Sequence, residues 1–457
     1  MIWSSILSHN SNTSTDSFGK SAVSLRKDGW RLAKPPYSKD GRRLAKPPYD
    51  PHAPQFCVKT KLAVIFGAGN VGRGFLGQLF SESGYRVVFV DVDDMLILAL
   101  NARRRYTIRL VDNDLSKDVT ISPVQALHAG QIEAVTLALI EADLVATAVG
   151  VRALPNIAPL VATGIAWRAK GGIKAPLNVI VCENLKNAAA VFRSMVDEHL
   201  SAAGHDYAQT HAGFVDTVIG RMVPPLTPEM RAQDSSLVVV EPYKELPVDR
   251  RGFAGSIPEI VGLEPCDNFA AYTARKLYVH NCGHAMLGYL GHLRGYTFGY
   301  QALEDGIIRS LFERALAESM SGIVAAHGVD AAWLKAHAAD LTRRFANRAL
   351  GDTVFRLARD PLRKLGPTDR LVGAARLAEK AGVMPETLSV GIAAGYCFDD
   401  AGDPLAAELQ QRIVAEGFDA VLADVSGVQA DEPLAALVRA GRDRLREGLS
   451  RLEEGEL

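Results

Sequence analysis

The chain has 457 residues, of which 48% are hydrophobic, and it carries 51 basic and 52 acidic side chains. This length is enough for about three domains with sizeable buried cores. The near-balance of charge argues against nucleic acid or an anionic membrane as the main partner, and no apolar run reaches the roughly 20 residues of a membrane span, so we expect a small-molecule partner.

The cysteines indicate the compartment and argue against one kind of metal site. They are odd in number, scattered, and form no CxxC pair. This pattern favours a reducing cytoplasm over a disulfide framework, and it predicts no structural zinc site. Residues 1–7 are too short for the apolar core of a signal peptide. The cysteines are Cys57, Cys182, Cys266, Cys282 and Cys397.

Residues 1–58 do not have the pattern of a folded domain. Ser and Thr are frequent in the first 25 positions, and KDGWRLAKPPY (27–37) recurs as KDGRRLAKPPY (39–49). Such a segment cannot bury enough apolar surface to offset its conformational entropy. We therefore expect a disordered or misannotated leader; an organelle transit peptide and a proline-rich docking segment are the alternatives.

A nucleotide-binding motif follows the leader. Residues 62–66 form a short apolar run typical of a buried parallel strand, and GAGNVG comes directly after it. In such a motif Gly67 permits the tight turn, Gly69 lets the backbone approach a pyrophosphate, and Gly72 allows close packing of the next helix.

The second half of the motif supplies the remaining cofactor contacts. We expect a helix over 70–83, in which Asn70 and Val71 lie in the first turn and present N–H groups to phosphate. A strand over 85–90 then delivers Asp91, whose carboxylate suits the adenosine ribose hydroxyls of NAD. A purely structural glycine turn, or a domain that has lost its ligand, is the alternative.

Strands and helices continue to alternate up to residue 182, which predicts an α/β domain with a doubly wound parallel sheet. Ligands of such sheets lie beyond the carboxyl ends of the strands, so we expect Val149, Glu183 and Asn184 to face the cofactor or substrate. A helix cap for Lys186 onward is the alternative role of Asn184. The predicted strands are 106–110, 119–122, 144–149 and 177–182, and the predicted helices are 95–104, 131–142 and 154–169.

The pattern changes after residue 213. Residues 213–265 are irregular and rich in proline, which suggests a hinge region with one strand-like run at 236–241. Beyond residue 267 nearly everything has helical periodicity. We therefore predict a Rossmann domain over 59–265 and an all-α domain over 266–457. The predicted helices are 267–293, 303–326, 331–349, 369–381, 386–396, 404–416, 418–425 and 432–452.

The first helix of the all-α domain carries an unusual set of polar groups. At about 100° per residue, Asn281 lies near 140° and His284 near 80° from Lys276, so the three share one broad face. On an otherwise apolar helix these groups must reach solvent or line a cavity. A solvated face and a ligand site both remain open on this pattern alone.

A second polar cluster lies in DPLRKLGPTDR (360–370). Arg363, Lys364 and Arg370 are three cations within eight positions, and they suit a phosphate. We also expect Thr368 to cap a helix that begins near Asp369. The alternative is an exposed loop in which the cations pair with the acids of the same segment.

Several motifs together resemble one family. GAGNVGRGF, CEN, GFVDTVIGRMVPP, RKLYVHNCGHA and DPLRKLGPTDRLV are similar to those of the polyol-specific long-chain dehydrogenases, in order, from Lys61 to the C-terminus. The compact length after Lys61 resembles the branch that acts on sugar phosphates. This resemblance implies NAD-dependent, metal-independent interconversion of mannitol 1-phosphate and fructose 6-phosphate, by a monomer or small homo-oligomer. Sister activities on hexuronates or free polyols, and a non-catalytic dinucleotide sensor, are the alternatives.

The resemblance also implies residue roles. Lys276 matches the general acid–base, Asn184 and Asn281 match residues that bond the reacting oxygen, and His284 matches the residue that orients the group. Arg221 joins the cationic segment 360–370 as a candidate substrate contact. The family usually has an aspartate before this arginine, whereas Gly220 stands here, so this chain lacks that acid.

Overall fold

The computed structural model describes residues 60–448. The predictions for the leader, and for the last residues of the C-terminal helix, fall outside this range. Within it, none of the helices combines the length and the apolar character that crossing a bilayer requires.

The α/β half is built on a six-stranded parallel sheet with the order β5-β2-β1-β6-β7-β8. The strand order reverses beside β1, which creates the crevice where ligands of such sheets bind. The predicted fold class is confirmed. The strands are β1 (Leu62–Phe66), β2 (Arg86–Asp91), β3 (Tyr106–Asp112), β4 (Leu115–Ile121), β5 (Val124–His128), β6 (Leu144–Thr147), β7 (Leu177–Val181), β8 (Ala212–Asp216), β9 (Val238–Val240), β10 (Leu246–Asp249) and β11 (Leu263–Cys266).

Helices cover both faces of this sheet. Because both faces are buried, the sequence of β1 is apolar throughout. Leu62, Val64 and Phe66 pack into the core on one face, and Ala63 and Ile65 pack into the core on the other. The helices of this half are α1 (Gly77–Glu82), α2 (Asp94–Arg103), α3 (Ile132–Glu141), α4 (Leu154–Lys170), α5 (Ala188–Asp197), α6 (Ala202–His211) and α7 (Pro228–Gln233). A π-helical segment, Gly72–Leu76, precedes α1.

The expectation that 106–110 and 119–122 continue the parallel sheet is wrong. β3 and β4 pair antiparallel, and with β9 they form a separate three-stranded sheet. A turn at Asn113, whose φ is +53°, joins them, and a connection this short can link only antiparallel strands. The main-sheet strand at this point is β5, which the sequence prediction missed.

The second half is helical, as predicted. Its helices are α8 (Phe269–Ala274), α9 (Cys282–Leu293), α10 (Gly299–Glu304), α11 (Gly306–His327), α12 (Ala331–Phe345), α13 (Val354–Ala358), α14 (Pro361–Lys364), α15 (Val372–Lys380), α16 (Glu386–Tyr396), α17 (Pro404–Glu416), α18 (Phe418–Ser426) and α19 (Pro433–Glu447). Val111, Met222 and Val239 of the α/β half are buried in the same core as these helices. The two halves therefore share an apolar junction.

Candidate active site

The backbone of the loop after β1 packs so closely that two positions, Gly67 and Gly72, have no room for a side chain. Gly67 has a φ of +95°, and a Cβ atom there would lie 2.3 Å from the carbonyl oxygen of Ala148. A Cβ atom at Gly72 would lie 1.9 Å from the carbonyl oxygen of Gly67. At Gly69, which is exposed, a Cβ atom would meet nothing within 4 Å. The backbone at Gly69 therefore leaves the open approach that a pyrophosphate needs.

The first turn of the following helix borders this open space. Asn70 is exposed and Val71 is half-buried. The first N–H groups of any helix have no partner within the helix, so this turn offers donors and a positive dipole end to an anion. Arg73 is buried and donates to the carbonyl oxygen of Ala68, and this hydrogen bond stabilises the glycine loop.

Asp91 ties the end of β2 to the same loop. Its Oδ2 accepts a hydrogen bond from the N–H of Ala68 at 2.6 Å. Its Oδ1 accepts from the N–H groups of Val92 at 2.7 Å and Asp93 at 3.0 Å. A carboxylate can accept about four hydrogen bonds, so Asp91 retains capacity for a ligand while it organises the backbone.

Glu183 performs a similar task at the end of β7. Its two carboxylate oxygens accept from the N–H groups of Val149 and Gly150, both at 2.9 Å. Burial raises the pKa of Glu183, and these hydrogen bonds oppose that rise. A Cβ atom at Gly150 would meet nothing within 4 Å. Glu183 thereby holds the turn after β6 in place and leaves its outer side open.

Asn184 follows Glu183 and is exposed at the carboxyl edge of the sheet. The next helix, α5, begins at Ala188, and Asn187 precedes it without a side-chain cap. The alternative role of Asn184 as a helix cap is therefore wrong. Its amide is available to a ligand in the crevice.

The helix that carries Lys276 differs from the expected α-helix. Residues Arg275–Asn281 form a π-helical segment between α8 and α9. A π-helix bonds residue i to residue i+5, which brings Asn281 closer to the line of Lys276 than the 140° of the α-helical expectation. π-helical turns of this kind occur frequently at functional sites. The helix geometry therefore gathers the two groups more tightly than periodicity predicted.

Lys276 lies deep in the helical half, although part of its side chain remains accessible. Its ammonium makes no hydrogen bond or ion pair with residues 60–448. Burial lowers the pKa of Lys276 well below its usual value, and the charges of Arg344 and Arg370 lower it further. Glu241 acts in the opposite direction. The lowered pKa favours the uncharged amine, which is the form that can accept a proton.

His284 lies against the same region. Its ring stacks on Phe345 with centroids 4.1 Å apart, and His280 packs edge-on at 4.8 Å. Within the described chain the buried Nε2 of His284 has no hydrogen-bond partner. Burial, followed by the charge of Lys276, lowers the pKa of His284 well below its usual value. The ring is thus neutral, and Nε2 is free to bond a ligand.

A buried ion pair lies beside these groups, and sequence reasoning missed it. Glu241 accepts from Arg344 at 2.7 Å through Oε2 and at 2.6 Å through Oε1. The two side chains are only 1% and 3% exposed. Glu241 belongs to the α/β half and Arg344 to α12, 103 residues later. Charged residues at this separation carry no sequence pattern that marks them as partners.

The three cations of the 360–370 segment differ in burial: Lys364 and Arg370 are buried, and Arg363 is half-exposed. Lys364 is buried on α14 and donates to the carbonyl oxygen of Leu357. Burial lowers the pKa of Lys364 to about 6, with further lowering by Arg370 and Arg363. Arg370 is buried, is paired with Asp369 at 2.7 Å, and lowers the pKa of His284.

Arg363 instead lies at the surface. Its side chain is half-exposed, and it pairs with Asp360 at 2.6 Å and Asp369 at 3.8 Å. These are the pairings that the loop alternative expected. The next helix begins at Val372 without a side-chain cap, so the expectation that Thr368 caps a helix near Asp369 is wrong.

Arg221 is buried among groups of the protein itself. It donates to the carbonyl oxygens of Glu241 at 2.8 Å and Gly74 at 3.0 Å, and to Oε1 of Gln78 at 2.7 Å. Burial lowers the pKa of Arg221 to about 10. These contacts connect the π-helical segment after the glycine loop to Glu241. Its role as a substrate contact stays a prediction, and its present contacts are structural.

The predicted residues thus fall into two groups. The carboxyl edge of the sheet gathers the glycine loop, Asp91, Val149 and Asn184. The helical half gathers Lys276, Asn281 and His284 on one helix, and the buried cations Lys364 and Arg370 lie near His284. Among residues 60–448, no three His, Cys, Asp or Glu side chains are grouped as metal ligands.

Both halves of the chain match family models of known proteins. Residues 61–262 match the family model of the mannitol dehydrogenase Rossmann domain, and residues 268–440 match that of the mannitol dehydrogenase C-terminal domain. Mannitol-1-phosphate 5-dehydrogenase of Bacillus subtilis (strain 168) is 37% identical over 378 residues, which cover 82% of this chain and 98% of the relative. The protein of the same name from Bacillus licheniformis is 39% identical over 379 residues, with the same coverage.

Two solved structures share the fold. Mannitol 2-dehydrogenase of Pseudomonas fluorescens, in a ternary complex with NAD and D-mannitol, has a TM-score of 0.67 at 18% identity and covers 86% of this chain and 93% of its own. A D-sorbitol dehydrogenase in substrate-free form has a TM-score of 0.72 at 18% identity and covers 85% and 94%. At this identity the likeness establishes the fold alone.

Proposed function

The chain belongs to the mannitol dehydrogenase family of oxidoreductases, and from this premise we propose that it interconverts mannitol 1-phosphate and fructose 6-phosphate with NAD(H). The observation that carries the proposal is the amine of Lys276, which has no hydrogen-bond partner among the described residues and shares a helix with the unpartnered Nε2 of His284. Burial lowers the pKa of Lys276, and the buried cations Arg370 and Lys364 lie near His284. This combination suits proton transfer to a substrate that also carries an anion. The curated relatives bearing that enzyme name match over 98% of their length.

The residues of the α/β half fit NAD. The open space at Gly69 and the donors of the first helical turn suit its pyrophosphate, and Asp91 suits the adenosine ribose. The open side of the turn at Val149 borders the same crevice. When bound, NAD⁺ supplies the acceptor for the hydride that leaves the alcohol carbon. We therefore assign Gly67, Gly69, Asn70, Val71, Gly72, Asp91 and Val149 to cofactor binding.

Lys276 moves the proton in this account. In oxidation its uncharged amine accepts the proton of the substrate hydroxyl, and in reduction its ammonium donates a proton to the ketone oxygen. A lysine with its usual pKa near 10.4 is a poor base at neutral pH, so the lowered pKa is what makes the residue useful. The amides of Asn184 and Asn281 hold the reacting oxygen, and Nε2 of His284 orients the substrate.

The cations of the helical half select a phosphate. The charges of Arg356, Arg370 and Lys364 lie near His284, since each of them lowers its pKa. With its pKa near 6, Lys364 is largely neutral in the free protein at pH 7. An arriving phosphate dianion draws a proton onto it, which forms a charge-assisted contact only when substrate is present. Arg363 adds positive charge at the surface rim.

The free thiols are consistent with a cytoplasmic location, which we propose as well. Within the described residues Cys182, Cys266, Cys282 and Cys397 are all unpaired, and three of them are buried. A reducing compartment keeps such thiols free.

The function is tested by a substrate panel with purified full-length protein. NADH and NADPH are each combined with fructose 6-phosphate, fructose, fructuronate and tagaturonate, and kcat/KM is measured for every pair. We expect NADH with fructose 6-phosphate to be the best pair. A preference for free fructose or a hexuronate would assign the chain to a sister activity, and no turnover with any pair would favour a non-catalytic sensor.

A further inference from the structure

The Arg344–Glu241 ion pair, which joins the two halves of the chain, makes further contacts with neighbouring residues. Oε1 of Glu241 also accepts from the N–H of Met222 at 2.6 Å. Arg344 donates to the carbonyl oxygen of Gly220, and its guanidinium lies 3.9 Å from the ring centre of Tyr243. Both charges are therefore buried, and each is held by several contacts.

The pair lies next to the helix of Lys276. Phe345, the residue after Arg344, stacks on His284, and its ring centre is 5.5 Å from that of His280. Arg344, Met222 and His284 line one small cavity of about 10 Å³, close to the space that one water molecule needs. The guanidinium thus borders the site from α12, which is separate in sequence from the cationic segment 360–370.

We propose that Arg344, held in place by Glu241, is a positioning residue for the reaction, and that its fixed positive charge keeps the amine of Lys276 uncharged until the substrate proton arrives. The inference rests on the proposed function, because it assigns Arg344 a role through Lys276. Arg344 needs no contact with the substrate or cofactor to act in this way.

The electrostatic surroundings of Lys276 support this role. The charged and titratable groups that face it from all packed elements are Arg344, Arg370, Arg356, Glu241, His280, His284 and His337. Among the charges that lower the pKa of Lys276, that of Arg344 has the largest effect. Glu241 opposes it from the same ion pair, so the two charges act on Lys276 with opposite sign.

The opposite signs of the two charges predict opposite effects when each one is removed. Removing the positive member leaves a buried carboxylate, which favours the ammonium form and raises the pKa of Lys276. Removing the negative member leaves a buried guanidinium, which lowers that pKa further. A residue that only holds the fold together would produce no such opposite effects.

The experiment follows kcat/KM for NAD-dependent oxidation of mannitol 1-phosphate against pH. We expect the midpoint of the acid limb to move up by roughly one pH unit or more in Arg344→Gln and down by a similar amount in Glu241→Gln. In the double variant the midpoint should lie above that of the wild type, because the effect of Arg344 is the larger. Titration of the substrate phosphate is common to all variants and cannot cause opposite shifts.

NADH affinity, measured by fluorescence titration, verifies folding, and Arg412→Gln serves as the control. Arg412 forms a surface network with Glu416 and Asp424 and should leave the midpoint unchanged. Shifts of the same sign in the two single variants, or unmoved midpoints, overturn the inference. If both single variants fail to bind NADH, the double variant decides, and a midpoint at or below that of the wild type overturns it.

Lys276→Ala is measured in parallel to separate the two claims. Loss of turnover in Lys276→Ala together with unmoved midpoints in the pair variants sinks only the inference about Arg344. Retained turnover in Lys276→Ala contradicts the role of the lysine, and the inference fails with it.

Discussion

The carboxylate of Asp91 and the backbone of Ala68 are joined by a hydrogen bond of 2.6 Å. The acid at the end of β2 therefore supports the glycine loop, in addition to the ribose contact that we propose for it. Asp93 and Asp94 follow directly, which concentrates negative charge at this point. A 2′-phosphate would meet that charge, whereas a ribose hydroxyl can donate to it.

We expect the wild-type protein to prefer NADH strongly over NADPH, and Asp91→Asn to reduce the ratio of the two kcat/KM values at least tenfold, about 1.4 kcal/mol. Arg103 is not expected to bind the 2′-phosphate of NADP. It lies at the end of α2, about 15 Å from the start of that helix, and it pairs with Asp234 at 2.8 Å. Equal efficiency of the wild type with both cofactors would contradict this assignment.

The glycine loop offers a matched pair of variants. Gly72→Ala places a Cβ atom 1.9 Å from a carbonyl oxygen, so we expect a loss of about 1–3 kcal/mol in the free energy of unfolding. Gly69→Ala meets open space, so its stability should change little while its dissociation constant for NADH rises. Denaturant unfolding and NADH titration of both variants check the prediction, and normal NADH affinity in Gly69→Ala would argue against the pyrophosphate position.

The two arginines of the 360–370 segment should differ in effect. Arg370 is buried and acts on His284, so Arg370→Gln should raise KM for fructose 6-phosphate at least tenfold with little change in KM for NADH. Arg363 is half-exposed and already paired with two carboxylates, so Arg363→Gln should have a smaller effect. Equal KM values in Arg370→Gln and the wild type would remove Arg370 from the phosphate site.

Lys364 should give stability a distinct dependence on pH. Its pKa is about 6 in the folded chain and near 10.5 when unfolded, so between these values only the unfolded chain binds the proton. The resulting cost to folding is complete below pH 6 and declines as the pH rises toward 10.5, at up to about 1.4 kcal/mol per pH unit.

Lys364→Met removes this cost and the buried amine together. The variant should therefore exceed the wild type in its free energy of unfolding by a larger amount at pH 6.5 than at pH 9. Urea unfolding at the two pH values measures the difference. A difference that is the same at both would show that Lys364 keeps its ordinary pKa in the fold.

The parts of the fold that depend on local pattern could be predicted. The strand Leu62–Phe66, the glycine loop and the acid at Asp91 follow one another within about 30 residues, and α16 and α17 begin and end where periodicity placed them. Short-range turn chemistry and helical period are enough to specify such elements.

The parts that depend on long-range contacts could not. The π-helical segment at Arg275–Asn281 has no sequence signature. It changes the angles between Lys276, Asn281 and His284 that were calculated for an α-helix. Arg344 and Glu241 meet only because the two halves pack together. The resemblance makes Arg221 a candidate substrate contact, and in the fold its guanidinium donates to the carbonyl oxygens of Glu241 and Gly74, which lie far from it in sequence.

The most direct test of the account is the turnover of Lys276→Ala with NADH and fructose 6-phosphate, measured beside its NADH affinity. The account predicts that kcat falls by roughly 10²- to 10⁴-fold, as expected for one acid–base group, while the dissociation constant for NADH stays within about twofold of the wild type. Turnover within a few-fold of the wild type would contradict it.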